Sequence, residues 1–202
     1  SSDLIYLFND STWLHDSGYV FAEGTRNAYS MAFNGKNQLF AIDNAGERDD
    51  PEELNLIEEG RHYGFPWRIG GNTNPLINPN YDASSDPLIN PNNGAFLAGH
   101  FAPDPAFPAV PNGSVFTEPI ANYGAAADYY KEEGTGNIHK ASETGIPVRT
   151  FTAHRSPLGL VIDRDSLLGG PFCGNGLVLS FMPGGDSTGF SPISPWGSPC
   201  PF

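Results

Sequence analysis

"RNAYSMAFNGKNQLFAIDNAG", residues 26–46, decides the fold. Two short apolar runs, "AYSMAF" and "QLFAID", flank "NGKN". Asn and Gly supply the backbone conformations a tight hairpin turn needs. Too few residues separate the runs for a helix to form between them, so the stretch reads as strand, turn, strand. Working outward, "LNLIEEGRHYGFPW" at 54–67 adds a short strand, a turn and an aromatic cluster. "HRSPLGLVID" at 154–163 and "GNGLVLSFM" at 174–182 form a second strand pair. Small sheets at such intervals suit the blades of a β-propeller, each stacking an apolar face on the next.

The composition agrees. The chain has 202 residues, 24 of them Gly and 19 Pro, so few stretches are long enough for helices. Hydrophobic residues at 39% and aromatics at 12% argue for a packed core against disorder. The expected fold is all-β with little helix, and residues 1–202 are read as one domain. Within it, 70–137 reads as a long Pro/Asn-rich loop insertion carrying a local duplication, "NPLINPN" (74–80) and "DPLINPN" (86–92). "GSVFTEP" at 113–119 is a possible strand inside that insertion, and 190–202 is a Pro/Ser-rich tail.

A formal net charge of −13 makes nucleic acid or an anionic membrane surface an unfavourable partner and leaves cations easier to accommodate. No run approaches the roughly 20 apolar residues of a membrane-spanning helix. The opening "SSDLIYLFND" has no basic region followed by an apolar run, so no signal peptide is expected within it. A secreted protein after processing would read the same. Cys173 and Cys200 lie too far apart for a CxxC motif. A disulfide between them would suit an oxidising compartment, but two cysteines do not establish one.

The acidic stretch "AIDNAGERDDPEELNLIEEG" (41–60) is a metal loop, a cofactor loop or a solvated turn. It is not an EF-hand, because Ala45, Asn44 and Asp43 precede Gly46 without the alternating acidic positions that loop requires.

Taken whole, residues 24–67 resemble the PQQ-dependent glucose/sorbosone dehydrogenases. In that family a Gly-x-Arg-Asn-Pro-x-Gly-[Leu/Met]-Ala-Phe strand leads through a hairpin to a loop ending in Asp-Asp/Glu-Glu-[Ile/Leu]-Asn. An Asn-Tyr-Gly-[Trp/Phe]-Pro segment follows. The chain offers Arg26-Asn27, Met31-Ala32-Phe33, Asp43-Asn44-Ala45-Gly46, Glu53-Leu54-Asn55 and His62-Tyr63-Gly64-Phe65-Pro66. A later His-x-Ser-Pro-x-Gly-Leu segment is similar to 154–160. The resemblance covers about half of the chain and leaves out the insertion and the tail. It implies a six-bladed propeller, of which this chain carries the middle and later blades.

It also implies a function: oxidation of an aldose sugar or related alcohol with PQQ and Ca²⁺ as cofactors. The implied electron acceptor is a carrier such as a cytochrome c, in a periplasmic or secreted setting. By family position, Arg26, Asn27, Asn44 and His154 are the cofactor-binding candidates. Ala45 and Gly46 are the metal candidates, acting through backbone carbonyls. Physically, a planar tricarboxylate favours the forked, permanently charged guanidinium of Arg26. The alternative for Arg26 is a structural pair with Glu23 or Glu47. Gly46 is expected to turn the carbonyls toward the ion, while Asp49 and Asp50 tie the loop down. For His154 a backbone-bonded structural role stands beside the cofactor role.

Three departures from the family pattern matter. Ala28 and Ser30 replace Pro and Gly, and Pro51-Glu52 are two extra residues in the acidic loop. The family's general base belongs to an earlier blade, and His15 lies only 11 residues before Arg26, so the catalytic residue is unassigned. The chain alone is therefore expected to oxidise sugars poorly. The competing reading is a catalytically degenerate propeller module that binds another chain at its open sheet edges.

Overall fold

The computed structural model describes residues 11–124, 129–169 and 172–181. The Pro/Ser tail and Cys200, with the disulfide it would make, lie outside these residues. A short helix, α1 (Ser11–Asp16), leads to a three-stranded antiparallel sheet of β1 (Ala28–Phe33), β2 (Leu39–Asp43) and β3 (Glu53–Ile57). The hairpin turn forms as its residues dictate. Asn34 Oδ1 accepts from the backbone N–H of Lys36 and Gln38, and Asn37 takes a left-handed φ of 59°. Phe33 then sits opposite Leu39 and Met31 opposite Ala41.

That register fixes which side chains enter the core, because neighbours on a strand face opposite ways. Ala28, Ser30 and Ala32 of β1 turn inward, where the hairpin of β8 (Pro157–Ile162) and β9 (Gly176–Ser180) lies against them. Small residues let the two layers approach, and Ser30 Oγ accepts from Leu160 N–H at 3.1 Å. Ser30, a departure from the resembled pattern, thus stitches the layers together. Phe40, Ile42, Leu54, Val148, Phe151 and Leu160 form the core between them.

On the opposite face, Tyr29, Met31 and Phe33 are exposed. Beside them an apolar groove of about 390 Å³ runs between Phe21, Phe33, Leu39 and Ile57. A second buried group, Ala41, Ile57 and Tyr63, closes the rest of this face. Tyr63 Oη donates to Leu56 O at 2.5 Å and accepts from Glu58 N–H at 2.9 Å, bracing the turn after β3. Tyr63→Phe is expected to cost about 1–2 kcal/mol in urea unfolding, since both hydrogen bonds of the hydroxyl are lost.

Three two-stranded sheets complete the β structure: β4 (Arg68–Ile69) with β5 (Asn72–Thr73), β6 (Tyr129–Lys131) with β7 (Ile138–Lys140), and β8 with β9. Two further short helices are α2 (Gly94–Leu97) and α3 (Ala141–Thr144). The architecture is mostly β in small antiparallel sheets, and the described residues form no closed ring of blades. Residues 113–119 form no strand. The chain here bonds singly, Thr117 N–H to His62 O and, just beyond, Ile120 N–H to Leu54 O, and a run ending in a proline offers no ladder of donors.

The duplicated motif has a local cause. Asn74 and Asp86 each accept from the N–H two residues on, and so do Asn78 and Asn90. Each copy is a pair of Asx turns. The copies separate in burial, because Leu88 and Ile89 are buried while Ile77 is exposed.

Candidate functional site

The hub of the molecule is the turn after β2 and the acidic segment that follows. Asp43, 3% exposed, accepts from the backbone N–H of Arg26 at 2.8 Å and of Asn27 at 2.5 Å. Burial raises its pKa, and the N–H groups of Asn27 and Arg26 pull it back down. This carboxylate holds the entry to β1 beside the exit from β2.

The Arg26 side chain then reaches across. Nη1 donates to Asn44 O at 3.0 Å and to Ala45 O at 2.7 Å. Arg26 is solvent-exposed and makes no ion pair with a carboxylate among the described residues. Glu23 instead faces His15 at 3.3 Å, and Glu47 accepts from Asn93 Nδ2 at 2.9 Å. Neither is the strut partner considered above. His15 sits on α1, exposed, with Asp16 and Glu23 as its neighbours.

The Asn44 amide faces inward, with Nδ2 donating to Pro157 O at 3.2 Å and more weakly to Asn27 O at 3.5 Å. It ties β2 to the starts of β1 and β8. The Asn27 side chain is on the exposed surface. Gly46 has no positive φ. A Cβ placed there would meet only Arg26 Nη2, at 3.8 Å, so the turn needs no glycine for backbone reasons.

His154 arrives from the far side of the fold, with a φ of 59°, and its Nε2 lies 2.5 Å from Asp49 Oδ1. Burial works against the imidazolium. The Asp49 hydrogen bond and the carboxylates Asp49, Glu47 and Glu52 outweigh it, so the pKa of His154 is raised. Asp49 also pairs with Lys131 of β6, and its own N–H donates to Leu88 O at 2.8 Å. The next acid makes a second clamp. Asp50 takes Arg48 Nη1 at 2.5 Å and Asn72 Nδ2 at 2.8 Å, while Arg48 Nε donates to Asp86 at 2.8 Å. Asp49 and Asp50 therefore anchor the 70–137 segment from both ends.

Two buried glutamates follow, neither of which stood out in the sequence as a site residue. Glu53 accepts from Gly70 N–H at 2.6 Å and Asn55 Nδ2 at 2.8 Å. Gly70 is needed there, because a Cβ would come within 2.3 Å of Pro51 O. Glu52 accepts from the N–H groups of Ser156 and Ala45, with His154 and Arg26 as its charged neighbours. Burial pushes each carboxyl up to about 7, although these donors oppose the rise. Glu52 was legible only as an extra residue in a loop; its burial depends on the pairing of 52 with Phe151.

Arg26, Asn44, Ala45 and Gly46 are thus brought into direct contact or near it. His154 bonds instead to Asp49, in the acidic segment that follows the turn. Arg26, Asp43, Ala45 and Glu53 line one narrow crevice. Among the described residues, no three His, Cys, Asp or Glu side chains converge as metal ligands. Cys173 is exposed, and no helix of the described residues is long and apolar enough to cross a membrane.

No curated protein and no solved structure matches this chain. Residues 9–87, which include the Arg26 turn and the acidic segment after it but not His154, match the family model described as Glucose / Sorbosone dehydrogenase.

Proposed function

We propose that the Arg26 turn is the cofactor site of a quinoprotein dehydrogenase acting on an aldose sugar or related alcohol. The observation that carries this reading is the guanidinium itself. Two carbonyls hold it in place and no carboxylate among the described residues pairs with it. A surface arginine with no function usually finds a carboxylate in a chain this acidic. A guanidinium pinned through Nη1 alone suits a planar anion. Protonated His154 would add a second positive charge nearby, and Asn27 and Asn44 frame the turn.

The donor set also fits an oxygen-preferring cation at Ala45 and Gly46. Each carbonyl oxygen has two lone pairs, and at Ala45 only one is committed, to Arg26. When bound, PQQ supplies a quinone that accepts hydride from the substrate C–H, polarised by calcium acting as a Lewis acid. Arg26 would orient the acidic groups, and Asp43 would keep Arg26 in register with the turn. The general base has no assigned residue. A sugar or alcohol substrate, an acceptor such as a cytochrome c, and a periplasmic or secreted setting belong to the same reading.

A second reading, a propeller-like module that binds another chain, is favoured by the exposed face of Tyr29, Met31 and Phe33. Titrating PQQ in the presence of Ca²⁺ into wild type and Arg26→Lys separates the two. Lysine keeps the charge and loses the fork, so affinity is expected to fall about 10–100-fold, the equivalent of one charged hydrogen bond. Equal affinities, or no binding by wild type, would remove the quinoprotein site and leave the binding module.

A further inference from the structure

The turn between β1 and β2 meets the loop between β8 and β9, and a cleft of about 270 Å³ lies between them. Lys36 lines it from the turn, Arg164 and Ser166 line it from the loop, and Phe40 and Ile162 supply its apolar part. The two walls are locked together. Arg164 Nη2 donates to Asn37 Oδ1 at 3.1 Å, and a Cβ placed on Gly35 would stand 2.5 Å from Arg164 O. The cleft is therefore preformed, and it shares no lining residue with the crevice at Arg26.

Its charge runs against that of the chain. Ten basic residues stand against 23 acidic ones, so a cation usually finds a carboxylate. Arg48, Arg61, Arg68, Lys131, Lys140 and Arg149 all do. Lys36 and Arg164 make no ion pair among the described residues, yet they line the same cleft. The carboxylate of that lining, Asp163, is spent on its own loop, accepting from the N–H groups of Leu167, Leu168 and Gly174 at 2.9, 3.1 and 2.9 Å. Asp165 is exposed and outside the lining.

We propose that this cleft binds a small organic phosphate monoester, its dianion held by Lys36 and Arg164 and its carbon body set against Phe40 and Ile162. A phosphate monoester carries close to two negative charges at neutral pH, which two cations match better than they match a single carboxylate. The guanidinium, bonded within the fold through Nη2 alone, can take two phosphate oxygens at once, and lysine adds a point charge. The Ser166 hydroxyl is a further donor. Cavities that enclose drug-sized ligands run to roughly 300–1,000 Å³, so this cleft suits a smaller molecule.

Calorimetric titration of phenyl phosphate into the full chain at low ionic strength tests the site. Inorganic phosphate and benzoate are the comparison probes, and Arg61→Gln controls for net charge alone. Wild type is expected to bind phenyl phosphate. Inorganic phosphate should bind more weakly, lacking the carbon body, and benzoate more weakly, lacking the second charge. Affinity for phenyl phosphate is expected to fall about tenfold in Lys36→Gln and in Arg164→Gln and to stay unchanged in Arg61→Gln. The Lys36 side chain makes no bond among the described residues, so Lys36→Gln should fold as wild type and carries the test if Arg164→Gln does not fold. No binding of phenyl phosphate by wild type, wild-type-like affinity in Lys36→Gln, or an equal fall in Arg61→Gln would overturn the site. Inorganic phosphate or benzoate binding as tightly as phenyl phosphate would overturn the class of ligand.

Discussion

Asp49→Ala is expected to lower the unfolding free energy by about 3–5 kcal/mol, a large share of a typical domain's stability. Asp49 is 3% exposed and its carboxylate faces two cations, Lys131 on one oxygen and His154 on the other. Removing it leaves Lys131, whose side chain is 8% exposed, without that counter-charge in a site water does not reach. The raised pKa of His154 should fall back at the same time, since its main support is the Asp49 hydrogen bond. Urea unfolding gives the magnitude. Limited proteolysis gives the place, because the 70–137 segment is expected to be cut faster once its tether is gone. A second change, Lys131→Met in the Asp49→Leu background, should recover most of the loss, as apolar replacement of a whole buried pair often does. A loss below about 1 kcal/mol in Asp49→Ala would mean that the pair contributes no more than an exposed one.

The second large effect is on pH dependence. Burial lifts the Glu53 carboxyl from its ordinary 4.5 to about 7. The folded chain therefore keeps this proton in a range where the unfolded chain has released it. Stability contributed by the neutral form is full below pH 4.5 and is lost as pH rises through about 7. The loss from this one residue is on the order of 3 kcal/mol, at about 1.4 kcal/mol per unit. Glu53→Gln should flatten that part of the profile. Glutamine keeps the acceptor for Gly70 N–H, and its amide can donate to Asn55 Oδ1, which has no partner in the wild type. Denaturation midpoints from pH 4.5 to 7.5 in both proteins read the difference. Parallel profiles would show that Glu53 is ionised in the fold throughout.

These two carboxylates show how unevenly the sequence displays its own structure. The hairpin at 28–43 was legible because its causes are local: alternating apolar residues and an Asn-Gly turn braced by Asn34. The β8–β9 pair was legible for the same reason. The possible strand at 113–119 failed because a short run of β-type residues carries no information about whether a neighbour offers a matching ladder.

At the site, the family resemblance singled out Arg26, Asn44, Ala45 and Gly46, which lie within 20 residues of one another across a single hairpin. Short separation makes their meeting a consequence of the turn. His154 and Asp49 lie 105 positions apart, and Lys131 and Asp49 lie 82 apart. Their meeting depends on how 148–156 bridges back to Glu52, which no local preference specifies.

The duplicated "PLINPN" draws the same line most sharply. The sequence by itself determined that both copies fold as paired Asx turns, because each Asn or Asp caps an N–H two residues away. Only the tertiary structure decided that Leu88 is buried and Ile77 exposed, because burial is set by Asp86 docking on Arg48 and by Leu88 O receiving Asp49 N–H. Hydrogen bonds between near neighbours are written in the residues that make them, whereas charges and apolar groups are buried by whatever distant chain packs against them.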